Sequence, residues 1–403
     1  MKSKFTLGII LLSSSVVSAQ SLYHSGSDEE EAFPLKWAVG TNLLYDDNVS
    51  PGFGPKEGSL AINPTVGLSV VSTSPQTTWD VHGRLGLIYY FDAPPGVDST
   101  NSQSRAGANF NHRFSERFRI SSSNFASYEL EPDYSYGYAS TRLGGESLNW
   151  STDNTLAYRW SERYGTVHGL RLNGQDSDAS DNDIFTWTFH NQLRYQLGPQ
   201  TVLSGNYRYA VTSGGGRTSD STSHYLLAGA EHSFGPNTIG IVRLGSQFRD
   251  VDEGKSSTSP YLELAANSKL TQQLSIRSFT RYGIEASGTV LQHPDAGFVE
   301  FDERTTLRFG VTAEYTFSPI LSFFGGLDYI PTSYEAARSL DNPPVPNLRD
   351  LDEDIVNAYI GVSVRFAENL TGTLSYNFTD SSSNIPNRSY NRNRISIGVN
   401  ATF

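Results

Sequence analysis

From Ile395 to Phe403 the chain alternates without a fault. Ile395, Ile397, Val399, Ala401 and Phe403 share one parity, and Ser396, Gly398, Asn400 and Thr402 share the other. A period of two is a strand with one apolar and one polar face. The same alternation recurs far upstream. Leu60, Ile62, Val66, Leu68 and Val70 share a parity, Ser74-Pro75-Gln76 follows, and then Trp79, Val81, Leu85, Leu87, Tyr89 and Phe91 share the next, with Asp80, His82 and Arg84 between them. This last strand carries aromatics at its ends and aliphatics at its centre. The ten steps from Trp79 to Tyr89, at ~3.3 Å each and tilted by ~40–45°, cover roughly 25 Å, the height of a hydrocarbon layer. A chain patterned this way must put one residue in two against an apolar medium and the other against water.

Composition agrees. There are 22 Tyr, 22 Phe and 5 Trp, yet the mean hydropathy is −0.39, because Ser, Thr, Asn and Gly dilute the apolar residues. A soluble core would need more Leu, Ile and Met; a barrel wall between lipid and water does not. No stretch reaches the ~20 apolar residues of a membrane helix. With no cysteine, disulfides, thiolate chemistry and cysteine metal sites are excluded. A net charge of −12 excludes nucleic acid as a partner. Residues 1–19 read as a signal peptide: Lys2 and Lys4, an apolar run from Phe5 to Leu12, and Val17-Ser18-Ala19 as the cleavage site. Residues 20–35 are an acidic periplasmic lead and residues 36–403 the membrane domain.

One unit repeats through that domain: two alternating strands, a short turn, and a longer polar loop to the next pair. Short turns fall near Ser115-Glu116, Ser161-Glu162, Gly198-Pro199-Gln200, Gly235-Pro236-Asn237, Thr271-Gln272-Gln273, Ser318-Pro319 and Ala367-Glu368-Asn369. Phe114, Phe118, Trp160, Tyr164, Tyr195, Phe234, Phe317, Phe366 and Phe403 flank them as one aromatic girdle. Tyr89, Phe91, Tyr128, Phe185, Trp187, Tyr207, Tyr209, Phe248, Tyr282, Tyr329, Tyr376 and Phe378 make the other. The expected fold is all-β: a transmembrane antiparallel up-and-down barrel of about 18 strands (16 to 18), with short periplasmic turns and longer extracellular loops such as Arg249 to Ser259, Gly288 to Asp302 and Pro331 to Asp352. An even count puts both termini on the periplasmic side. Phe118 to Leu130 and Tyr164 to Gly174 alternate poorly.

The terminal strand and Phe403 resemble the last strand of bacterial outer-membrane barrels. That resemblance implies the cell outer membrane, surrounding lipid and lipopolysaccharide, and recognition by the barrel-assembly machinery through the C-terminal strand, with Phe403 as the assembly signal. Tyr45, Asp46, Asp47, Asn48 and Val49, straight after the first strand, resemble a signature of the β-barrel porin-2 family. Family members imply an outer-membrane barrel and, more loosely, a link to exopolysaccharide export. In physical terms the Asp-Asp-Asn cluster belongs at the extracellular rim, capping the loop by side-chain bonds to backbone or holding a cation.

Arginines on the polar parity are the candidate functional residues: Arg84, Arg171, Arg194, Arg208, Arg243, Arg277, Arg281, Arg308, Arg365 and Arg394, with His82. Lining a wet lumen, they would favour anions. The alternative is a solvated wall paired with neighbours such as Asp80, Glu263 and Glu314. Acidic loops, including Asp176 to Asp183, suggest a repulsive surface or divalent-cation bridges to lipopolysaccharide. The latter run lacks the glycine and acidic twelfth ligand of a calcium loop. The scattered histidines form no ligand pair, and Gly214-Gly215-Gly216-Arg217 has no phosphate-loop context. No motif supports a catalytic site, a cofactor or a metal. Eighteen strands leave an aqueous channel where eight would not, so the expected function is passive diffusion of small hydrophilic or anionic solutes. The alternatives are a component of exopolysaccharide export and a non-transporting surface barrel.

Overall fold

The computed structural model describes residues 35–51, 56–130, 146–177, 180–215, 219–252, 254, 256–285, 290–295, 297–339 and 350–403. The signal-peptide reading lies outside these, as does nearly all of the acidic lead. The strands are β1 (Lys36–Asp46), β2 (Ser59–Thr73), β3 (Thr77–Tyr90), β4 (Thr100–Arg113), β5 (Phe118–Glu129), β6 (Ser147–Arg159) and β7 (Tyr164–Ser177). Next come β8 (Ser180–Gly198), β9 (Thr201–Gly214), β10 (Ser221–Gly235), β11 (Thr238–Val251), β12 (Ser257–Lys269) and β13 (Leu274–Glu285). The last are β14 (Val290–His293), β15 (Gly297–Ser318), β16 (Leu321–Ser339), β17 (Leu351–Ala367), β18 (Leu370–Ser383) and β19 (Tyr390–Thr402).

Apart from β14, each strand pairs antiparallel with its neighbours along the wall, and β1 pairs with β19. The sheet is therefore a closed barrel. The four-residue β14 pairs only with the upper end of β15, whose lower part pairs with β13. The wall is thus eighteen strands around. At the seam, Ala38–Asp46 runs against Arg394–Thr402. Its lower end is locked by reciprocal bonds: the Phe403 N–H donates to the Trp37 carbonyl at 2.7 Å and the Trp37 N–H to the Phe403 carbonyl at 2.9 Å.

The apolar parity faces outward everywhere it was expected to. Val81, Leu85, Leu87, Ile397 and Val399 are 46, 62, 47, 56 and 44% exposed, the reverse of a buried core. Phe114, Trp160, Tyr164, Phe234, Phe317, Phe366 and Phe403 ring the short-turn side, all half-exposed or more. With the sheet closed on itself and an apolar exterior, this is the architecture of outer-membrane barrels.

Two features depart from the sequence reading. The outer loops are shorter than expected, because the strands go on pairing above the membrane: Pro331 to Ser339 continues β16, Gly297 to Asp302 opens β15, and Gly174 to Ser177 continues β7. β15 has 22 residues, which at ~3.3 Å each and tilted by ~40–45° rise roughly 50 Å, about twice the hydrocarbon layer. Beneath the outer loops, two apolar clusters are fully buried: Val299, Phe301, Tyr334, Leu351 and Ile385, and Val49, Ala61, Ile88, Tyr90 and Leu130. They are satellite cores that hold the rim.

The poor alternation after Phe118 also has a reason. Ser122 and Asn124 oppose Asn154 and Thr152 on the parity of the lipid-facing Phe110 and Leu156. They satisfy one another: Ser122 Oγ donates to Asn154 Oδ1 at 2.7 Å, Thr152 Oγ1 to Asn124 Oδ1 at 2.6 Å, and Asn154 Nδ2 to Thr152 Oγ1 at 2.9 Å. Polar groups without such partners would be costly in hydrocarbon. Leu85→Arg should destabilise the folded barrel by about 2–4 kcal/mol in lipid vesicles, the cost of a cation at mid-membrane depth. Urea unfolding followed by tryptophan fluorescence checks this; an unchanged midpoint would mean that Leu85 does not meet lipid.

Candidate functional site

The wall's inward parity carries charge because outward positions cannot. The structure places all the sequence-predicted lumen residues (Arg84, His82, Arg194, Arg208, Arg243, Arg277, Arg281, Arg308, Arg365 and Arg394, together with Arg171) on strand positions opposite in parity to the lipid-facing residues. It also gives most of them partners. Glu285 accepts from Arg281 at 2.6 Å, Arg304 at 2.7 Å and the Arg308 Nε at 2.6 Å. Glu263 takes Arg208 in a two-point clasp of 2.7 and 2.8 Å, Arg243 at 2.9 Å, and the Tyr261 hydroxyl at 2.6 Å. Arg194 meets Glu231 at 2.7 Å, and Arg105 meets Glu129 at 2.6 Å with Arg84 at 3.5 Å. Asp153 accepts from Arg171 and lies 3.2 Å from His190.

Register explains these groupings. Glu263 stands directly opposite Arg243 on one side and Arg281 on the other, Glu285 opposite Arg304, and Asp153 opposite Arg171. Opposite charges facing across a ladder stabilise the sheet. Arg281 faces Arg308 directly, a like-charge pair that would be unfavourable alone; both guanidiniums donate to Glu285. Arg208 reaches from β9 to Glu263 on β12, so its side chain bridges three strand intervals across the curved inner wall. Nine arginines share five carboxylates in these ion pairs. Within these pairs arginines outnumber carboxylates.

His82 lies 3.3 Å from Asp80 through Nδ1, and its ring covers Gly107 on β4: a Cβ there would fall 2.3 Å from Nε2. Only glycine permits that approach. Arg394 donates to Asn377 Oδ1 at 3.2 Å. Arg277 and Arg365 oppose Asn267 and Thr371. Arg194 and Arg308 are 2 and 1% exposed, whereas the Arg84 side chain is 49% exposed. Deep arginines are thus part of the wall and Arg84 is open to solvent. Sequence reasoning missed Arg105, Arg304 and the hub Glu285. Parity with Phe110 marks Arg105 as inward, but nothing local marks Glu285, because its three partners meet only across β13 and β15.

Tyr45, Asp46, Asp47 and Asn48 form a latch at the head of the seam. Tyr45 is outward and half-exposed. The buried Asp46 carboxylate accepts from Arg392 Nε at 2.9 and 3.1 Å, from Arg392 Nη2, and from the Asn48 N–H at 3.0 Å. Asp47 accepts from the Asn393 N–H and Nδ2, both at 2.7 Å, and from Lys56 at 2.7 Å. Asn48 Nδ2 donates to the Asn391 carbonyl at 2.9 Å. The cluster therefore ties the first strand to the last across 346 residues, and the loop-capping bond is present as expected. Burial works to raise the Asp47 carboxyl, but the Asn393 donors and Lys56 outweigh it and hold its pKa below the usual carboxylate range. Among the described residues no group of carboxylates and histidines is placed to hold a metal ion.

Neither a family model nor a curated protein matches the chain, so the porin-2 resemblance stands on Tyr45 to Val49 alone. Solved structures with similar shape include Pseudomonas aeruginosa OccK9 (OpdG), at 11% identity and TM-score 0.46 over 92% of this chain and 98% of that one. Pseudomonas aeruginosa OpdO has 14% identity and TM-score 0.45, covering 92% and 97%. Acinetobacter baumannii OccAB4 has 11% identity and TM-score 0.43, covering 93% and 99%. Likeness this distant leaves the function to the chain's own geometry.

Glu285→Gln removes the carboxylate shared by the buried Arg304 and Arg308 and the part-exposed Arg281 and should cost about 3–5 kcal/mol, while Arg84→Gln, at a half-exposed pair, should cost about 1 kcal/mol or less; equal urea midpoints would contradict the geometry. Because the Asp47 carboxyl is depressed in the folded barrel, its contribution is complete above the unfolded value of ~3.9 and is lost as pH falls further. The stability difference between wild type and Asp47→Asn should therefore be flat from pH 7 to about 5 and shrink below about 4.

Proposed function

We propose that the barrel is a passive channel for small hydrophilic solutes with a bias toward anions. The observation that carries this is the wall itself: eighteen strands around, with an inward face on which nine of the arginines converge on five of the carboxylates. A barrel of this circumference has room for water, and rings of arginine favour negatively charged solutes. Pairing tempers the field without cancelling it, so the bias is moderate rather than absolute. Solvent-facing Arg84 meets a passing solute most directly.

The reading includes no catalytic step and no cofactor. Its partners are the solutes, outer-membrane lipid and lipopolysaccharide, and the assembly machinery, which would engage the last strand through Phe403. Passage of an exported polysaccharide is the competing role, and a barrel that transports nothing is the third.

Purified full-length protein in planar bilayers should give steady single-channel steps with a reversal potential displaced toward anions. Arg84→Glu should move that potential toward cations. Absence of conductance, together with loss of surface polysaccharide in a deletion strain, would replace the channel reading with the export role.

A further inference from the structure

A cavity of about 670 Å³ opens at the head of the seam, within the usual volume range of ligand pockets. It is lined chiefly by the β18–β19 turn and the latch: Asn48, Lys56, Asn384, Asn387, Tyr390 and Asn391. Its walls are held firmly. Ile385 is buried in the cluster with Tyr334 and Leu351, Arg388 lies 3.4 Å from the buried Glu353, and Ser389 Oγ both accepts from the Ser383 N–H at 2.9 Å and donates to its carbonyl at 2.8 Å. Asn387 is the one non-glycine residue with positive φ, 62°, among the described residues. Asparagine takes this left-handed turn conformation more readily than other residues with a side chain.

The lining selects among ligand classes. It contains no carboxylate, so it does not suit a metal ion. Its one cation, Lys56, already binds Asp47 and Asn391 Oδ1, each at 2.7 Å, so it does not suit a strongly anionic ligand. A peptide strand has no sheet edge to join, because β1 and β19 are paired. What remains is a preformed bowl of amides beside the exposed Pro386. Each amide offers both donors and an acceptor, and among the described residues the Asn387 amide and the Asn391 Nδ2 have no protein partner. Adjacent hydroxyls on a ring with an apolar face match that set. Asn391 lies on the parity that carries Ile395 and Ile397 to lipid, so this wall of the cavity belongs to the outer side of the rim.

We propose that this cavity binds a saccharide, through Asn387 and Asn391, at the level of the sugars that crown the surrounding glycolipid leaflet. The site is separate from the lumen and does not rest on the channel reading. The test is saturation-transfer NMR and calorimetry on the detergent-purified full chain. One probe is the core oligosaccharide released from lipopolysaccharide by mild acid; the other is maltotriose. Asn387→Gly keeps the positive φ and removes only the amide; Asn391→Leu removes the second. Each should weaken binding about tenfold or more, the loss expected for a hydrogen bond on the affinity scale, with heat-modifiable gel mobility as the check that the barrel is folded. Binding of the core oligosaccharide locates the source in the leaflet, and binding of maltotriose alone locates it in free sugar. Binding of neither probe, or binding unaltered in both variants, overturns the proposal.

Discussion

Hydrocarbon offers no hydrogen-bond partner to a peptide group, and the whole structure answers that one constraint. An open sheet would expose two edges of N–H and carbonyl groups to lipid. Here the edges meet along Ala38–Asp46 and Arg394–Thr402. Trp37 and Phe403 fasten the lower end, while Asp46, Asp47 and Asn48 clasp Arg392, Asn393 and Asn391 at the upper one. Where the ladder breaks, a side chain repairs it. Pro260 in β12 has no N–H, and pairing between β12 and β13 ends at Leu262 and Tyr282. Gln247 reaches over from β11, donating to the Ile284 carbonyl at 2.8 Å and accepting from its N–H at 3.0 Å.

The same logic sorts the side chains. Inside, arginines and carboxylates face one another across the ladders, and Glu285 and Glu263 each gather several cations. A buried charge without a partner is strongly destabilising, whereas a complete network rigidifies the wall. The interior is therefore a framework: Arg194 and Arg308 are buried in it and hold the strands. Outside, the small polar ring of Ser122, Asn124, Thr152 and Asn154 is tolerable because its members bond to each other.

Above the membrane the design changes. The strands keep pairing, and apolar residues turn inward into the clusters around Tyr334 and Tyr90. A tall rim with its own cores can carry shaped, rigid turns, and the β18–β19 turn is one of them. Rim and lumen thus have separate physical supports.

Two-residue alternation assigned Val81, Leu85, Leu87, Ile397 and Val399 to the apolar side, placed the aromatic rows from Phe114 to Phe403 beside the short turns, and set the strand number near eighteen, because lipid imposes its pattern on every strand locally. It failed at Ser122 and Asn124, where both faces are polar, and it set Pro331 to Ser339 in a loop, because pairing above the membrane needs no apolar face. The partners of the charges were not legible. Parity says that Arg281, Arg304 and Arg308 point inward; only strand register brings them to Glu285. The Tyr45 to Asn48 motif stood out in the chain, but its bond to Arg392 joins residues at opposite ends of it. Periodicity is a property of neighbours along the chain, and so the sequence determined the wall; ion pairs, latch and rim cavity depend on which strands lie side by side, and that was decided by closure.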